Sequence, residues 1–82
     1  MTNRSQDRTD SADGAFNIIP SDFEDLKRMP VALNVRTSGI VFFIGADGLM
    51  SDVFIAAGVA FPIRVRRVLS TGTTATGIRG LA

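Results

Sequence analysis

Apolar residues recur at every second position along much of this chain, the spacing of strands whose two faces meet different surroundings. Residues 15–19 (AFNII) form a short apolar run ended by Pro20, which predicts a first strand at a sheet edge. Val31, Leu33 and Val35 alternate with Ala32, Asn34 and Arg36, giving a strand with one face toward a core. After a turn at 37–39, residues 40–44 (IVFFI) are apolar on both faces, as in a strand that is central or covered by another subunit. Gly45, Ala46, Asp47 and Gly48 carry the clearest hairpin signal, because Asp-Gly suits a turn that needs positive φ. Residues 49–55 (LMSDVFI) then return as the partner strand, with Asp52 turned to solvent or marking a strand end.

Residues 56–61 (AAGVAF) read as a small-residue connection hinged at Gly58, and Pro62 opens the next strand. There the alternation slips: Ile63 and Val65 share a face with Arg67, while Arg64 and Arg66 share the other with Val68. A β-bulge at Arg66 and Arg67 restores Val68 to the inner face. The loop 71–77 alternates Thr71, Thr73, Thr74 and Thr76 with Gly72, Ala75 and Gly77, residues suited to close backbone approach. Residues 78–81 make a short last strand, expected at an edge from its length and from Arg79 and Gly80. One turn of helix is expected over 21–26 (SDFEDL), with Ser21 as N-cap and Glu24 as its capping-box partner before Pro30; a charged turn explains the segment equally well. The expected fold is all-β: a small antiparallel β-sandwich or barrel of about six short strands, formed by a single domain over 15–82. Residues 1–14, rich in Thr, Ser, Asn, Asp and Arg, are expected to be an arm that is flexible or held by a partner.

Composition sharpens this picture. An 82-residue domain hides only about 60% of the surface its unfolded chain exposes, so its core is marginal without help. The chain has no Cys and no His, which excludes disulfides, thiolate chemistry, zinc fingers and imidazole catalysis. Oligomerisation or docking on a larger assembly is the remaining remedy. Six Phe with no Trp or Tyr supply apolar area without a polar handle, so several rings are expected to be buried, some against partners.

Nine basic and eight acidic residues give a formal net charge of +1, far from a general nucleic-acid binder. The signs are segregated, with four basic and six acidic residues in 1–30 and five basic and two acidic residues in 31–82. Opposed surfaces of this kind could pair head to tail between subunits. No apolar run approaches the length of a membrane span, and the N-terminal residues lack the apolar core of a signal peptide; synthesis in the cytoplasm and no membrane partner are the expectations.

Candidate chemistry is sparse. Arg64, Arg66 and Arg67 form the only basic cluster; guanidinium groups can grip oxyanions, but a salt-bridged strand face pairing with the acidic 21–26 segment, in the same or a neighbouring subunit, is the favoured reading. Asp22, Glu24 and Asp25 lack the loop spacing of a calcium site. The segment STGTTATG has neither the Lys of a Walker motif nor the Gly spacing of a dinucleotide fingerprint. No catalytic residue, cofactor or metal is expected, and the chain is read as a non-enzyme. Interface candidates are Arg64, Arg66 and Arg67, the outward members of Val41, Phe42 and Phe43, and Asp22, Glu24 and Asp25.

Taken together, three blocks resemble the head spike base proteins of gene transfer agents and related tailed phages of alphaproteobacteria. They are PSD at 20–22 with Asp25 and Leu26 following; Ala32, Leu33, Val35, Thr37 and Gly39 in the pattern ALxVxTxG; and PIRVRRVLSTGTTATGI at 62–78, the most specific of the three. The resemblance spans residues 16–81 and departs from the family pattern in the apolar hairpin and at Asn34. It implies a bacterial virion structural protein on the outer surface of the capsid, a homo-oligomer that contacts capsid protein and anchors a fibre or spike, without catalytic residues. A capsid cement or decoration protein would use the same scaffold, and a small nucleic-acid-binding barrel is the alternative from another class.

Overall fold

The computed structural model describes residues 14–82. Seven strands follow one another: β1 (Ala15–Asn17), β2 (Ala32–Asn34), β3 (Gly39–Gly45), β4 (Met50–Ile55), β5 (Phe61–Pro62), β6 (Val65–Val68) and β7 (Arg79–Leu81). They build a four-stranded sheet in the order β1-β7-β2-β5 and a three-stranded sheet in the order β4-β3-β6, with every pairing antiparallel. The inner faces share one core in which Leu33 and Val35 lie with Val41, Phe43, Ile55, Val65 and Val68. The expected all-β sandwich is therefore present, with seven strands in place of about six. The arm expected over 1–14 lies outside the described residues apart from Gly14, whose backbone exchanges hydrogen bonds with Ala82.

The hairpin forms where the Asp-Gly pair predicts it. Gly48 takes φ 85°, and β3 and β4 pair from Gly39 with Ile55 to Ile44 with Met50. β6 pairs with the other edge of β3, and its register shifts so that Ile44 faces Arg67 while Gly45 faces Val65. Arg66 is the extra residue. That bulge is what lets Val65 and Val68, three positions apart, both point into the core.

Three expectations are corrected. The strand expected to run on from Pro62 is split: Phe61–Pro62 pairs with β2 in one sheet, the chain turns at Ile63 and Arg64, and β6 joins the other sheet. Such a corner is how consecutive strands come to line opposite faces of one core. The last strand is not at an edge, because β7 lies between β1 and β2. Gly80 makes this possible, since Phe16, its cross-strand neighbour on β1, lays its ring over the space a side chain would fill. Nor is there a helical turn over 21–26. Ser21 Oγ accepts from the N–H groups of Phe23 and Glu24 at 3.2 Å each, but the chain bends at Asp22 and Phe23, and Ser21 and Leu26 donate their own N–H groups to Val68 and Arg66 of β6, so the segment is the charged turn, pinned to that strand at both ends.

The Phe16–Gly80 pair yields a test. A Cβ at residue 80 would come within 2.5 Å of the Phe16 ring, so Gly80→Ala should destabilise the domain by about 1–3 kcal/mol in urea unfolding. The loss should shrink in a Phe16→Ala background, where the obstructing ring is gone.

Candidate functional site

The sequence-predicted residues fall on two surfaces of the domain. The first begins where the acidic segment 21–26 meets β6 and the Thr/Gly loop. Asp22 Oδ1 accepts from the N–H groups of Ser70 at 2.9 Å and Thr71 at 3.0 Å, and Asp22 Oδ2 accepts from the Thr71 hydroxyl at 2.6 Å. The Thr71 hydroxyl and then its N–H stabilise the ionised carboxylate and, with lesser help from Ser70 N–H and the Arg67 charge, hold Asp22 below the ordinary carboxylate range against the opposing effect of desolvation. Asp25 forms an ion pair with Arg67 at 2.8 Å, and Arg67 also donates to the Asp22 carbonyl at 3.1 Å.

This arrangement sorts the predicted site residues. Arg67 is spent inside the chain, so part of the segregation of charge seen in the sequence closes within one subunit. Asp22 and Asp25 face different partners and do not converge on a common point; Glu24 remains exposed. Arg64 and Arg66 are exposed and have no ion pair among the described residues. The bulge explains the split, because it turns Arg66 to solvent while Arg67 lies against the acidic segment.

The second surface is the outer face of the three-stranded sheet. Of the three residues whose outward members are the sequence candidates, Val41 and Phe43 point inward and are buried, and Phe42 is the outward one. Strand alternation pairs Ile40 with Phe54, Phe42 with Asp52 and Ile44 with Met50 on that outer face. Phe54 is 63% exposed and Met50 68%. Neither stood among the sequence candidates, although the alternation of Met50, Asp52 and Phe54 against Ser51, Val53 and Ile55 carried the signal. Phe23, 87% exposed on the acidic segment, was also missed. Nearby, a shallow groove of about 400 Å³ is lined in part by Phe16, Ile19, Leu26 and Arg28. Glu24, Asp25 and Lys27 also line it, so apolar and charged side chains share the groove.

The Asp22 contacts predict a pH dependence. A carboxylate whose folded value is depressed contributes stability that is fully present above its unfolded value, about 3.9, and that is lost as pH falls through the folded value. Asp22→Asn should therefore lower the urea midpoint at pH 7, and the gap from the native chain should narrow progressively below about pH 4.

No family model and no curated protein matches the chain. Among solved structures, it is similar to a chain described as belonging to the capsid of a native GTA (gene transfer agent) particle computed with C5 symmetry. The two are 41% identical with a TM-score of 0.79, and the match covers 87% of this chain and 83% of the other. With that identity sustained over nearly the whole domain, and with the same two-sheet fold, the chain belongs to the family of gene transfer agent capsid-particle proteins that this structure represents.

Proposed function

We propose that this protein is a structural component of a gene transfer agent-type virion and, within that role, a head spike base: a homo-oligomeric module on the outer surface of the capsid that carries a fibre or spike. The observation that carries the virion role is the 41% identity to a chain of the GTA capsid particle. A structural rather than catalytic role also fits the side chains present, since the carboxylates of the acidic segment are engaged in holding the fold or lie apart. The spike-base assignment rests on the resemblance of the block 62–78. That block contributes β6 and the Thr/Gly loop, the part of the domain that the acidic segment locks in place. Arg64, Arg66, Glu24 and Phe42 are the proposed contacts to capsid and neighbouring subunits. Arg67, Asp22 and Asp25 support those contacts by fixing the surface that presents them.

Imaging of particles from producing cells tests the assignment. Density for this chain at capsid vertices beneath a fibre is the expected result, whereas density spread over local threefold positions would make it a cement protein. At the residue level, Arg64→Glu combined with Arg66→Glu should abolish incorporation into particles while leaving the unfolding midpoint of the isolated chain nearly unchanged. Exposed charges far from a partner contribute little to stability. Arg67→Ala should instead lower that midpoint.

A further inference from the structure

The two sheets have four edges, and three are short or covered. β1 is three residues long, and β5 has two residues, one of them Pro62. The edge of β6 is covered by the backbone bonds from Ser21 and Leu26. The fourth edge, β4, runs for six residues (MSDVFI) without Lys, Pro or Gly, and no strand pairs with its outer side among the described residues. The ladder sets which groups face outward. Gly45 N–H donates to the Leu49 carbonyl, so the alternation of an antiparallel pair directs the backbone of Ser51, Val53 and Ile55 to β3 and leaves the N–H and C=O groups of Met50, Asp52 and Phe54 at the free edge. Those three residues also carry the side chains on the exposed face. Asp52 has no ion pair among the described residues and stands between two exposed apolar side chains, Met50 and Phe54.

We propose that β4 is a strand-addition site, and that its occupant is an extended segment of a different protein with a basic residue flanked two positions away on each side by apolar residues. The charge decides against a second copy of β4. An antiparallel pairing of β4 with itself that keeps the apolar faces together sets Asp52 opposite Asp52, Phe54 or Met50. The first is repulsive, and the other two strip a carboxylate of water without a partner. A Lys or Arg at that position instead forms a cross-strand pair with Asp52, and its apolar neighbours cover Met50 and Phe54. The free edge of β4 involves none of the residues proposed above as capsid contacts, and it holds whether the virion role is spike base or cement.

The test uses the full chain and the synthetic peptide Ile-Thr-Lys-Thr-Ile with blocked ends, followed by amide hydrogen exchange. Binding should slow exchange at the amides of Asp52 and Phe54 and leave that of Val53, already bonded to β3, unchanged. The Glu-centred peptide Ile-Thr-Glu-Thr-Ile should bind roughly fivefold more weakly or worse, and Asp52→Lys should reverse that preference. The proposal is overturned if no protection appears at these two amides, or if both peptides bind equally. It is also overturned if the free chain already protects these amides, whether through a concentration-dependent dimer seen by light scattering or through a segment of its own.

Discussion

Everything in the three-stranded sheet hangs on how β3 finds hydrogen-bond partners along its second edge. β6 is only four residues long, too short to match the seven of β3. Beyond it, the Thr/Gly loop takes over: the Thr73 hydroxyl accepts from Phe42 N–H at 3.0 Å and the Thr74 hydroxyl from Ile40 N–H at 2.9 Å, while Thr74 N–H donates to the Ile40 carbonyl at 2.8 Å. Two side-chain oxygens thus stand where a strand's carbonyls would be. Leaving such donors unpaired would cost about 1–3 kcal/mol each, a large share of what so small a domain can hold. The close fit demands small residues, and Gly72, at φ 87°, leaves no room for a Cβ against the Phe42 ring. The loop is therefore part of the sheet.

What the sequence made legible follows from how local each cause is. The hairpin at Asp47 and Gly48 and the bulge at Arg66 each depend on a few consecutive residues, and both stand where the pattern placed them. The position of β7 depends on which distant strands it meets, and its brevity and its Gly80 suggested an edge when they serve the opposite end: Gly80 admits the Phe16 ring of a neighbouring strand. The segment 21–26 is subtler. Its capping chemistry is real, since Ser21 Oγ binds the two N–H groups a helix cap would bind. Yet Asp22 and Asp25 are committed to Thr71 and Arg67, more than forty residues away, and those bonds hold the chain along β6 in place of a helix. Of the candidate site, the arginine cluster and its acidic partner could be read in advance. Which arginine is consumed could not, because the bulge alone decides which one faces the acidic segment.

The distribution of aromatic rings gives these surfaces their meaning. Of six Phe, only Phe43 is buried in the core, which is otherwise built from Leu, Ile, Val and Ala. Phe16, Phe42 and Phe61 are half-buried, and Phe23 and Phe54 lie open to solvent. A domain this small, short of interior, would gain stability by folding its largest apolar side chains inward if stability alone shaped it. Instead it leaves Phe23 and Phe54 open to solvent, on a scaffold fixed by threonine hydroxyls and one clamped acidic segment. Exposed apolar area costs an isolated domain solubility and gives it nothing in return, but in an assembly that area becomes contact surface. Membership of a capsid-particle family supports that use of the exposed rings.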